Sequence, residues 1–133
     1  MMDAAQFDYA PAVMMCFMHP RHAGSLKGEA STVSAQAGSR GQGASVRLWL
    51  RMTENKIAET SFQAYGCPHF IAAADMLCEW CRGRSLDELS DWSWRIVQDE
   101  LAVPASKRGR LLLLENVLND TINALRATQS LAG

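Results

Sequence analysis

The sequence has no uninterrupted apolar run approaching the roughly 20 residues that carry a helix across a bilayer, so no membrane span is expected. Its start, Met1 to Ala10, holds Asp3 and Asp8 but no Lys or Arg. It therefore reads as neither the basic n-region of a secretory signal nor an Arg-rich transit peptide, and a cytoplasmic location is expected. Neither sign of charge is in excess: 13 Lys and Arg face 14 Asp and Glu, which leaves a net charge of −1 and no general attraction for nucleic acid. Cysteine is scarce. Cys16, Cys67, Cys78 and Cys81 are too few and too irregular for a secreted disulfide framework in 133 residues, and they read as reduced thiols or metal ligands.

What remains is ordinary globular material. Apolar residues make up 48% of the chain, enough for a real core, and the length suits one domain over residues 1–133. Phe7, Ala10, Val13, Met14 and Phe17 recur at helical spacing and predict a helix over 5–18 that stops before Pro20. After a loop, a stretch rich in Gly, Ser and Ala allows a strand near 32–37 and then a flexible turn, Gly38 to Gly43. Val46, Leu48, Leu50 and Met52 alternate with Ser45, Arg47, Trp49 and Arg51, the pattern of a strand with one buried face. Glu54-Asn55-Lys56 supplies a turn, and Ile57 to Tyr65 reads as the returning strand of a hairpin.

Beyond Gly66 the period becomes helical. Pro68 suits a first helical position, Phe70, Ala74, Leu77 and Cys81 form one apolar face, and Gly83 ends the run. Ser85-Leu-Asp-Glu88 has the form of a capping box over a short turn. Asp91 to Leu101 reads as a further helix, and Leu111, Leu114, Leu118, Ile122 and Leu125 line a last one. The expected class is α+β, with a small three-stranded antiparallel sheet packed against about four to five helices.

Cys67 stands where a strand ends and a helix begins. Free N–H groups and the positive end of the helix dipole favour an anion there, and a thiolate, the form that binds metal or attacks sulfur, is one. From spacing alone Cys67 is either such a thiol or a small buried cap. Cys78 and Cys81 have C-x-x-C spacing but fall mid-helix beside Ala74 and Leu77, and they read as core residues. His69 follows Cys67 by two positions, and Cys16, His19 and His22 are spaced by three. Cys67 with His69 is thus a candidate pair for zinc or iron, while His19 and His22, separated by the helix-breaking Pro20, read as surface histidines.

Three segments carry a resemblance to a known family. Phe62-Gln-Ala-Tyr65-Gly66-Cys67-Pro-His-Phe-Ile71-Ala72 resembles the F-x-x-Y-G-C-x-x-x-I-A signature of the NifU/IscU iron–sulfur scaffolds. Pro20-Arg21-His22-Ala23-Gly24 resembles their early P-R-N-x-G, and Glu79-Trp80-x-x-Gly83-x-Ser85-Leu86 their E-W-x-x-G-x-[ST]-L. The order is the family's, and the likeness covers residues 9 to about 126. It implies an IscU-like fold, and a binding protein without catalytic turnover that takes sulfur from a cysteine desulfurase. Such a protein builds an iron–sulfur cluster and hands it on with an Hsp70-type chaperone.

The resemblance also exposes departures. The family's pattern has three cysteines, one in the loop before the second strand, one at the strand–helix junction and one opening the last helix. Here only Cys67 matches; Gly38 to Ser45 holds neither Cys nor Asp, and the last position falls on Arg110. A [2Fe–2S] cluster needs four ligands and a guanidinium has no lone pair to give iron, so a non-standard or defective cluster site is expected. Lys107, Arg108 and Arg110 would instead bring positive charge towards Cys67, alongside the plain reading of a solvated helix start. Val103-Pro104-Ala105-Ser106-Lys107 falls where the family carries a chaperone-binding L-P-P-V-K-like segment, one proline short. Two further readings stand beside the scaffold: a persulfide acceptor working through Cys67, and a cluster-less regulator that binds the desulfurase.

Overall fold

The computed structural model describes residues 22–24, 32–104 and 108–132. The helix expected over 5–18, with Cys16 and His19, lies outside the described residues, as does Lys107. Three strands, β1 (Thr32–Ser39), β2 (Ala44–Thr53) and β3 (Lys56–Tyr65), form an antiparallel sheet in the order β1-β2-β3. Alternation in β2 decides its orientation: Val46, Leu48, Leu50 and Met52 are buried, while Ser45, Arg47, Trp49 and Arg51 stand on the other face. Glu54 and Asn55 both take positive φ, 54° and 66°, the two-residue hairpin turn whose twist matches its strands. Pairing passes from Arg51↔Glu59 to Met52↔Ile57, so Ala58 is the extra residue of a β-bulge.

Helix α1 (Pro68–Cys81) lies against β3, and α3 (Arg108–Ala132) lies across β1 and β2. The faces read from the sequence are the buried ones: Phe70, Ala74, Leu77 and Cys81 on α1, and Leu111, Leu114, Leu118, Ile122 and Leu125 on α3. Burying a Leu or Phe side chain is worth about 1.5–3 kcal/mol, so these two stripes are the main force holding helices to sheet. Three α-helices and two 3-10 turns are described, which fits the α+β class.

Two boundaries differ from the sequence reading: β1 runs on to Ser39, into the turn expected from Gly38, and the stretch after Asp91 is not one helix. The helix expected from Asp91 is interrupted: Asp87–Asp91 is a 3-10 turn, Trp92 is extended and buried, and α2 (Trp94–Leu101) starts afresh. Ser93 caps it by accepting from the Arg95 N–H at 3.3 Å, and Glu115 of α3 accepts from the Trp94 N–H at 2.8 Å. Tertiary burial of Trp92 and an acceptor from another helix outweigh local propensity.

The third resembling segment is explained by connection as well. Gly83, at φ 82°, donates its N–H to the Ile57 carbonyl at 2.8 Å, and Ile57 donates to the Arg84 carbonyl at 2.9 Å. Arg84 stacks 3.9 Å from the Trp80 ring centroid, and Ser85 and Glu88 form a reciprocal capping box. At the other end of β3, Phe62 donates to the His22 carbonyl at 3.0 Å and accepts from the Gly24 N–H at 2.8 Å. No described helix is long and apolar enough to cross a membrane.

Candidate functional site

Strand register gathers the sequence-derived positions at one end of the sheet. Ser45 pairs with both Gly38 and Tyr65, so the β1–β2 turn and the β3–α1 junction share that end. The turn is a 3-10 element, Arg40–Gln42, capped by the Ser39 hydroxyl accepting from Gln42 N–H at 3.2 Å. Cys67 is the N-cap of α1, with φ −75° and ψ 166°, and Pro68 takes the first helical position. Its carbonyl accepts from the Ile71 N–H at 3.1 Å, but its side chain makes no capping hydrogen bond. The thiol is thus half-buried and not used by the helix it caps. Gly66 is fixed by packing: a side-chain carbon there would lie 3.0 Å from Cδ2 of the buried Phe70 ring.

Arg110, in the first turn of α3, completes this end. Its Nη2 lies 3.2 Å from where a side-chain carbon of Gly43 would stand, which sets the guanidinium over the β1–β2 turn. Two of the three places at which the family's pattern puts cysteine therefore adjoin here, but they carry a glycine-containing turn and an arginine. Lys107 lies outside the described residues. His69 is buried, only 3% exposed, on the helix that Cys67 opens. Among the described residues no three His, Cys, Asp or Glu side chains group as a metal site, so Cys67 and His69 gain no third ligand there.

The other two described cysteines lie in the core. Cys78 and Cys81 are fully buried; burial, followed by the neighbouring Cys81, pushes the Cys78 thiol well up, and burial pushes Cys81 up to about 12. A protonated buried thiol neither ligates metal nor exchanges disulfides readily. His22 is not the surface histidine its loop setting suggests. Its backbone N–H donates to Oδ1 of the buried Asp75 at 2.8 Å, and its ring Nε2 lies 2.6 Å from Glu79 Oε2. Asp75 is what the sequence reading missed: a carboxylate on the apolar face of α1 is the signal of a buried tie.

A three-stranded antiparallel sheet, described helices on one face, and a cysteine at the N-cap of the helix after the last strand define the class: an α+β domain with a cysteine at its strand–helix junction. Residues 8–131 match the family model for the NifU-like N terminal domain, and the chain belongs to that family. It is 29% identical over 123 residues to the iron–sulfur cluster assembly scaffold protein IscU of Haemophilus influenzae, which covers 91% of this chain and 98% of that protein. The iron–sulfur cluster assembly enzyme IscU of Drosophila melanogaster is 28% identical over 91% of this chain and 80% of its own. Among solved structures, the N-terminal part of a NifU-like protein from Brucella abortus superposes with a TM-score of 0.68 at 15% identity. That likeness covers 89% of this chain and 94% of the other, and shows the shared fold.

Proposed function

We propose that the chain serves iron–sulfur cluster assembly as a scaffold-type binding protein without turnover, folded as one domain, at a cluster site that departs from the three-cysteine pattern. Family membership and the names of the relatives support the pathway. The observation that carries the departure is Arg110 set against Gly43, at the end of the sheet where Cys67 is the only cysteine among the described residues. The cluster is the cargo here, and the residues present do not fit it: Cys67 offers one thiolate, while the turn and Arg110 offer none. Iron bound by Cys67 with help from outside the chain remains within this reading.

The unengaged thiol of Cys67 favours a second role compatible with the first, sulfur acceptance from a cysteine desulfurase. The Cys67 thiolate would attack the outer sulfur of the desulfurase's cysteine persulfide. The S–S bond to the desulfurase breaks, its cysteine leaves as thiolate, and Cys67 carries the persulfide with no net oxidation. Chaperone contact through the 103–107 segment belongs to the same proposal; there Val103 is buried and Pro104 exposed, ahead of α3.

Anaerobic reconstitution with iron and sulfide, followed by visible absorption and iron and sulfide analysis, tests the departure: the purified protein should hold far less than one cluster per chain. A stable cluster with near-stoichiometric iron and sulfide would overturn it. Mass spectrometry after incubation with desulfurase and cysteine should find one added sulfur on Cys67 and none in Cys67→Ser; no sulfur on Cys67 removes the acceptor role. Desulfurase affinity undiminished in Cys67→Ser, with neither cluster nor persulfide formed, would leave the regulator reading.

A further inference from the structure

The face of the sheet turned away from the helices carries a polar cup of about 200 Å³, lined by Gln36, Arg40, Ser45, Arg47, Gln63 and Tyr65. Register explains its shape. Gln36, Arg47 and Gln63 are direct neighbours across β1, β2 and β3, and form one wall. The adjacent row is Gly38, Ser45 and Tyr65, in which Gly38 has no side chain and Ser45 a short one. That row leaves a hollow between the wall and Arg40, which reaches over from the β1–β2 turn.

Every polar side chain of the lining carries at least one donor. Arg47 is held in place as its Nη2 donates to Gln36 Oε1 at 2.9 Å and its Nη1 donates to Ser34 Oγ at 3.3 Å. Arg40 lies 4.8 Å from the centroid of the Tyr65 ring, held by cation–π attraction. Both guanidiniums are therefore positioned by neutral partners. Among the described residues no carboxylate pairs with Arg40 or Arg47, whereas Arg51 on the same face is matched by Glu59 at 2.8 Å. Two guanidiniums without a carboxylate partner among the described residues, two hydroxyls and two carboxamides around a hollow of this size satisfy the oxygens of one oxyanion. A polyanion such as nucleic acid is disfavoured by the chain's net charge of −1 and by the size of the cup.

We infer that this cup binds a small oxyanion, a phosphate or a carboxylate, either free or as the end group of a small molecule. The cup shares the β1–β2 turn and Tyr65 with the end of the sheet where Cys67 lies, but anion binding there does not need the thiol. Prepositioned guanidiniums lose little side-chain entropy on binding, so a single anion suffices as ligand.

The test is a titration of the intact protein, in low-salt zwitterionic buffer, with inorganic phosphate and separately with succinate, read by amide chemical shifts and calorimetry. Saturable shifts centred on Arg40, Ser45, Arg47 and Gln63 are expected. Saturation by phosphate alone assigns a phosphate ligand, by succinate alone a carboxylate ligand, and by both a general oxyanion site. Arg47→Gln and Arg40→Gln should each weaken binding about tenfold, roughly the loss of one charge-assisted hydrogen bond. Arg51→Gln, outside the cup, should leave it unchanged, and thermal melts confirm that each variant folds. Saturation by neither anion, or affinity unchanged in both cup variants, overturns the inference.

Discussion

Arg110 rests against Gly43, so that the first turn of the last helix and the β1–β2 turn are joined by a guanidinium over a bare backbone. Gly43 takes φ +86°, a conformation that strains any residue with a side chain. Gly43→Ala should lower stability by about 1–3 kcal/mol. The cause is backbone strain rather than collision, because the atom met at 3.2 Å is the far end of a flexible arginine. Urea denaturation of Gly43→Ala alone and together with Arg110→Ala separates the two: the loss should persist when the arginine is gone.

Thiol accessibility divides the described cysteines. Cys67 is half-buried, while Cys78 and Cys81 are fully enclosed. Iodoacetamide should modify Cys67 in the native protein and reach Cys78 and Cys81 only after guanidinium is added, as peptide mapping by mass spectrometry would show. Native-state labelling of Cys81 at the rate of Cys67 would contradict the burial.

Cys81 also sets a basic limit on stability. Burial raises its thiol from 9.0 to about 12, so the folded state favours the neutral form. That contribution is whole below pH 9 and is lost as pH rises towards about 12, because the unfolded chain ionises first. The urea midpoint should fall between about pH 8 and about pH 10.5. The fall should be smaller in Cys81→Ala.

Ser85 and Glu88 give the opposite sign at the acid end. The Ser85 backbone N–H, and then its hydroxyl, hold the Glu88 carboxyl below the usual carboxylate range. The cap is intact above that range and weakens as pH falls through the depressed value. A carbon-detected titration of Glu88 should move back up in Ser85→Ala, with the hydroxyl gone.

Leu114, fully buried where α3 meets the sheet, should be the most direct test of packing. Leu114→Ala should cost about 2–5 kcal/mol through lost transfer energy and the cavity left behind. The denaturant midpoint should drop while the m-value stays constant.

How far these features can be read in advance follows the range of the interactions behind them. The alternation of Val46 to Met52, the Glu54–Asn55 turn, the Pro68 helix start and the Ser85–Glu88 box are local, and all appear where spacing puts them. The break at Trp92 is not local, since an acceptor on α3 and burial of an indole decide it. Asp75 meeting His22 spans 53 positions, and the cup arises only when Gln36, Arg47 and Gln63 fall into register. The arginines of β2 were visible as its exposed set, but nothing in one strand announces its partners across the sheet. Cys67 was legible because a strand end, a glycine and a proline mark its junction in a few residues.

The two bridges on β3 protect the chain in solution. The outer margin of a sheet is a template on which another molecule's strand can grow, the first step towards intermolecular aggregates. On β3 that margin is closed at Phe62 by His22 and Gly24 and at Ile57 by Gly83 and Arg84. A second chain adding to this side must first pry off one of two clasps, each tied into the fold by its own contacts.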